Sequence, residues 1–151
     1  MLATLNLTDC ELRFNSSSLQ HKHLGYLAIA SSTFAANELA DLVACSAELS
    51  NAKVALANDA PLAFHCLAAK SLPRLFRFVL QAPIAENSIE RSTLLRFLVH
   101  SPRISNLELP AGSMDHAEAC AAVAAWYRVV RLRRELAYDS LTLCIGDGLV
   151  K

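Results

Sequence analysis

The chain has 151 residues, 54% hydrophobic and 19% charged, with five cysteines and a formal charge of zero. That length bounds one domain with a real core, and the apolar fraction argues against extended disorder. Zero net charge removes any global pull toward nucleic acid or an anionic membrane. The charges are unevenly spread. Residues 1–60 carry three cations against six anions, and residues 61–110 carry six cations against three anions. An ordinary scatter of solvated charges explains this as well as a bound anion does.

Cys10, Cys45, Cys66, Cys120 and Cys144 are widely spaced, and no C-x-x-C occurs. Reduced, buried thiols in a cytoplasmic protein are expected rather than a disulfide framework. The opening "MLATLNLTDCELRF" lacks the basic start and apolar run of a secretion signal. The uncharged apolar run Leu24 to Asn37 falls short of the roughly 20 residues a membrane span needs, so no membrane association is expected.

In chain order, "LATLNLTDCELRF" reads as extended. Leu5 and Leu7 share one face, Cys10, Leu12 and Phe14 the other, with a turn or bulge at Thr8-Asp9. Residues 19–30 suit a helix capped by Ser17 or Ser18. "SSTFAANELADLVACSAELS" reads as a helix with Leu39, Leu42, Val43 and Leu49 near one stripe. Residues 52–57 fit a short strand as well as a helix extension. "DAPLAFHCLAAK" restarts a helix, with Asp59 as cap and Pro61 in the first turn.

Residues 74–80, with Leu75, Phe76, Phe78, Val79 and Leu80, fit a buried strand or two helical turns. "ENSIERSTLLRFLVHSP" is a helix capped by Asn87 or Ser88 and stopped by Pro102. "RISNLELP" is a short strand. Residues 115–138 form the clearest helix. Asp115 and Glu118 have capping-box spacing, and Ala119, Ala122, Val123, Trp126 and Val130 form its apolar stripe. "LTLCI" then reads as a strand buried on both faces. No internal repeat stands out.

Helices alternating with short apolar strands define an α/β fold. The competing expectation is a mostly α chain with strands only at its ends. Organisation follows as a helix-rich α/β region, residues 1–139, and a final strand with a glycine loop, residues 140–151.

In "LTLCIGDG" an apolar strand enters a loop in which Gly146 allows a sharp turn. Gly148 allows close approach of the backbone to a ligand. These residues, Leu141 to Gly148, resemble the first motif of the Rossmann-like S-adenosylmethionine-dependent methyltransferases. The resemblance implies the start of an incomplete Rossmann-like sheet, with Gly146, Asp147 and Gly148 against S-adenosylmethionine. It implies a fragment not catalytically competent alone. The plain alternative is a strand that ends in an ordinary turn.

A second function class is a small non-enzymatic helical interaction module. Arg128, Arg131 and Arg134 fall at i, i+3, i+6 on one helix edge, with Trp126 and Tyr127 close by. Such an edge can bind phosphate or nucleic-acid backbone, although cations near a helix C-terminus also simply favour the helix dipole. In this class the helices, notably residues 115–138, bind a protein partner, while the apolar strand of residues 141–151, if unpartnered, leaves an edge that invites self-association. His116 and Cys120 at i, i+4 supply two metal ligands, short of the three or four zinc needs, so no metal site is expected. His65-Cys66 are adjacent and point apart on a helix, and His21, His23, His100 and Ser113 lie in no catalytic motif.

Overall fold

The computed structural model describes residues 4–8, 24–32, 36–57, 59–133, 141–146 and 148–150. Among these residues seven strands and four helices follow in the order β1 (Thr4–Thr8), β2 (Tyr26–Ser32), α1 (Ala36–Cys45), β3 (Asn51–Leu56), α2 (Ala60–Ala68) and β4 (Arg77–Gln81), then α3 (Arg91–His100), β5 (Asn106–Leu109), α4 (His116–Arg133), β6 (Thr142–Ile145) and β7 (Gly148–Val150). The fold is α/β, and strands β3, β4 and β5 overturn the mostly helical alternative. Residues 52–57 and 74–80, open from sequence, hold β3 and the start of β4. Residues 26–30, expected as helix, are β2. Their Leu27 and Ile29 alternate with half-buried Ala28 and Ala30, which is strand periodicity.

The sheet order is β1-β2-β3-β4-β5-β6-β7. The first six strands are parallel, and β7 is antiparallel to β6. A parallel sheet with helical crossovers is compatible with a Rossmann-like domain, yet here strand order follows chain order without reversal. Among the described strands there is accordingly no switch point of the kind at which open α/β sheets hold ligands. When each crossover keeps the usual right-handed sense and moves in one direction, every helix lands on the same side of the sheet. The packing agrees: α1 lies against α2, α2 against α3, and α3 against α4.

Register carries the same pattern from strand to strand. Leu5, Leu27, Ala52, Phe78, Leu107 and Leu143 pair in one row. Around this row the motif L-x-x-L-x-L recurs as Leu24/Leu27/Ile29, Leu49/Ala52/Val54, Leu75/Phe78/Leu80 and Ile104/Leu107/Leu109, all buried. The backbone repeats with it. Ser50 N donates to Gly25 O, Phe76 N to Ser50 O, Ser105 N to Phe76 O and Thr142 N to Ser105 O, at 2.7–3.1 Å. The chain is therefore internally repetitive, contrary to the sequence expectation. The signal is hidden because Leu, Ile, Val, Ala and Phe exchange at the buried positions while the intervening segments vary in length.

The helices supply the other half of the core. Ala60, Ala63, Phe64 and Leu67 of α2 are buried at i, i+3, i+4, i+7, and Leu94, Phe97 and Leu98 of α3 follow suit. Phe64, Phe78 and Phe97 pack as a trio with centroids 5.0–6.3 Å apart. Buried Trp126 of α4 donates from Nε1 to Leu98 O at 3.0 Å, which ties α4 to α3.

Helix starts differ in detail from expectation. Asp115 caps α4 as expected, its Oδ2 accepting from Ala117 N at 3.0 Å. Asp59 precedes α2 but adopts φ 50° and makes no side-chain cap bond. The residue before α3 is Glu90, not Asn87 or Ser88, while Asn87 takes a left-handed turn conformation. Four cysteines, Cys45, Cys66, Cys120 and Cys144, are free and half-buried rather than fully buried.

Replacing Phe97 with Ala removes the centre of the aromatic trio and should cost about 3–5 kcal/mol. Gln81→Ala, on the exposed side of β4, should stay within about 0.5 kcal/mol. Urea denaturation of the two variants checks both values.

Candidate functional site on the uncovered face of the sheet

Alternation along each strand sends every second side chain away from the helices. In β3, Ala52, Val54 and Leu56 are buried, whereas Lys53 is exposed and Asn51 half-buried. In β4, Phe78 and Leu80 join the core, while Arg77 and Gln81 are exposed. Val79 is buried but stands outside the core cluster, as its parity requires. In β6, Leu143 is buried, Cys144 and Ile145 half-buried and Thr142 exposed, so this strand is not buried on both faces. The reason is the one-sided placement of the helices.

Register turns these outward residues into two transverse rows. One runs Thr4, Tyr26, Asn51, Arg77, Asn106, Thr142, and the next runs Asn6, Ala28, Lys53, Val79, Glu108, Cys144. A depression of about 230 Å³ lies on this face, lined by Tyr26, Asn51, Lys53, Arg77, Gln81 and Glu108 among others. Tyr26 is 39% exposed, an aromatic ring at the rim. Arg77 Nη2 lies 2.8 Å from Glu108 Oε1 on the next strand, a charge-assisted bond across the face. Both partners are substantially solvated, so the pair orients the guanidinium more than it stabilises the fold.

A second depression, about 430 Å³, opens at the carboxyl ends of β4 and β5. Val79, Gln81 and Glu108 line it together with Ala111 and Gly146. Val79, Gln81 and Glu108 line both depressions, which therefore adjoin on the sheet. Comparison with protein-family models, with curated proteins and with solved structures finds no match to this chain.

The two groups of residues singled out from sequence lie in different parts of the fold where they are described. Gly146 adopts φ +57° in the turn after β6 and donates from N to Leu109 O at 2.9 Å. Gly148 opens β7, and Asp147 lies outside the described residues. The loop therefore closes a hairpin from β6 to β7, with no helix N-terminus directly after it. Arg128 is exposed on α4, Arg131 lies on the same helix, and Arg134 lies outside the described residues. Arg128 and Arg131 therefore belong to the helical layer and not to the sheet face.

His116 Nε2 and Cys120 Sγ approach to 3.4 Å on α4, but no group of three His, Cys, Asp or Glu able to hold a metal occurs among the described residues. His65 Nδ1 faces Thr93 Oγ1 at 3.3 Å, and His100 Nδ1 faces Ala68 O at 2.7 Å, both between helices. Buried Ser113 lies in the loop after β5. His21, His23 and Cys10 fall outside the described residues. No helix among the described residues is long and apolar enough to cross a membrane.

The open-face residues carry no motif of their own in sequence. Their signal is positional: they are the variable positions between the buried residues of the repeated L-x-x-L-x-L unit. Gly146 has a structural reason to be glycine. An added Cβ would stand 2.6 Å from Ala111 Cβ, on a backbone already in the left-handed region. Gly146→Ala should therefore lower stability by more than about 1 kcal/mol, measured by chemical denaturation.

Proposed function

We propose that this chain is a non-enzymatic binding scaffold that presents the uncovered face of its parallel sheet to a protein partner. The observation that carries the reading is that the helices among the described residues lie on one side of the sheet, so that Tyr26, Asn51, Lys53, Arg77 and Glu108 stand in two transverse rows on the other, with Ala28, Val79 and Cys144 between them. Stacked strand–helix units with a repeated L-x-x-L-x-L core are the pattern of leucine-rich solenoids. Such stacks present broad surfaces that suit binding and need no preformed catalytic cleft. The buried row recurs after 25 residues from Leu27 to Ala52, 26 to Phe78 and 29 to Leu107, within the range of such units. A reduced, cytoplasmic setting fits the free thiols.

The S-adenosylmethionine-binding reading rests on one observation, the depression beside Gly146 at the carboxyl ends of the strands. Against it stand the hairpin after Gly146 and the unreversed strand order. In this second reading the chain is part of a methyltransferase-like protein, and Gly146, Asp147 and Gly148 touch the cofactor. The Arg128, Arg131 and Arg134 edge remains a third surface, suited to phosphate or nucleic-acid backbone.

Affinity capture with the intact chain separates these readings. Proteins retained by the native chain should be lost with the double variant Tyr26→Ala, Gln81→Trp and kept with Arg128→Ala. The reverse pattern would move the binding surface to α4 and refute the scaffold reading. Excess S-adenosylmethionine should leave the melting temperature unchanged. A rise matching the roughly 2.7 kcal/mol expected at a hundredfold excess over Kd would favour the cofactor reading.

A further inference from the structure

We propose that the uncovered sheet face takes an extended acidic peptide segment, anchored by a carboxylate on Lys53. This rests on the scaffold reading and adds the chemistry of the partner. The described charges on that face are Lys53, Arg77 and Glu108. Arg77 is already paired with Glu108 at 2.8 Å. Lys53 is exposed, and no carboxylate lies within ion-pair distance of it among the described residues. Its neighbours in register are Ala28 and Val79, which carry no polar atom to compete for its ammonium group. A carboxylate arriving beside Lys53 would complete two cations and two anions on one surface.

Geometry places both cations within reach of one anionic side chain. Arg77 pairs with Asn51 and Val79 with Lys53, so Arg77 is two residues along the neighbouring strand from the position opposite Lys53. With strands about 4.8 Å apart and residues about 3.3 Å apart, that diagonal spans roughly 8 Å between Cα atoms. A carboxylate between the two bridges Lys53 and the side of Arg77 not engaged by Glu108.

The rest of the surface suits a peptide more than a lone carboxylate. Asn51 and Gln81 offer amide donors and acceptors to a peptide backbone, and Tyr26 offers an aromatic edge. The two adjoining depressions together reach from Tyr26 on β2 to Gly146 beyond β6. Four steps between strands at about 4.8 Å cover roughly 19 Å, the length of about six extended residues. Nucleic acid fits less well. Its repeated phosphates need several unpaired cations, and Glu108 would oppose them.

The test is selection of random linear peptides on the full chain, followed by fluorescence polarisation of the selected sequences. The selected peptides should be enriched in Asp and Glu. Lys53→Ala should weaken them by about tenfold, as expected for a charge-assisted bond. Lys53→Glu should weaken them further, and Lys53→Arg should restore most of the affinity. Peptides bound without acidic enrichment, or indifferent to Lys53→Glu yet lost with Tyr26→Ala and Gln81→Trp together, would overturn the acidic-segment inference and leave the scaffold reading standing. Peptides that survive every open-face change would sink both. A single-stranded oligonucleotide that binds through Lys53 in place of peptides would overturn the inference in favour of nucleic acid, as would recovery of no binding peptide at all in favour of another partner chemistry. Circular dichroism of the variants, all at exposed positions, separates lost binding from lost folding.

Discussion

The structure depends on a single apolar row, Leu5, Leu27, Ala52, Phe78, Leu107 and Leu143, laid across six parallel strands and covered, among the described residues, by helices on one side. Burial of apolar surface drives the arrangement, at about 25 cal/mol for each Å² withdrawn from water. Each strand–helix unit is too small to bury its own apolar face, so it does so against its neighbours. The helices follow the strands in chain order. Their contacts, α1 with α2, α2 with α3 and α3 with α4, are the second half of the same stack. Side-chain volumes exchange along the row. Ala52 is small one strand away from Phe78, and Phe64 and Phe97 fill the space on the helical side of Phe78.

One-sided coverage sets what the molecule can do. A parallel sheet ordinarily has both faces covered, and its strands then read as continuous apolar runs. Here the outward positions are Asn51, Lys53, Arg77, Gln81 and Glu108, with Val79 alone as a large aliphatic group in the central strand. A face of this composition is wet, and fixed in register by a core that tolerates no slip, because a one-residue shift would exchange the buried and outward sets. Rigid positioning of exposed polar groups is what specific recognition requires. The same rigidity is why the Arg77–Glu108 pair, of modest energetic value, can still matter for orientation.

The α/β class was legible because α1 and α3 carry amphipathic stripes, β5 alternates apolar and polar residues and β6 is a short apolar run. The helix expected over residues 19–30 shows where local reading loses. Tyr26 to Ile29 is too short to distinguish the two periods, and pairing with β1 and β3 decides it. The repeat escaped because its buried positions accept any apolar side chain, and Ala52 in particular hides a core position among other alanines. The candidate site escaped for a related reason. Lys53, Arg77 and Glu108 lie 24 and 31 residues apart in sequence, and only strand register makes them neighbours. Gly146 was visible as a turn glycine. Its close approach to Ala111 was not, because that contact depends on β5 and β6 lying side by side.

Among the described residues, helices cover one face of the sheet and leave the other open, and β4 is the place to measure it. Single cysteines introduced in turn at positions 77 to 81, in a background freed of native cysteines, report the accessibility of each side chain through thiol-labelling rates. Alternation is predicted: rapid labelling at 77 and 81, slow labelling at 78 and 80 that requires opening of the core, and an intermediate rate at 79. Uniform protection along the strand would mean that both faces are covered, and the account of an outward binding surface would be contradicted.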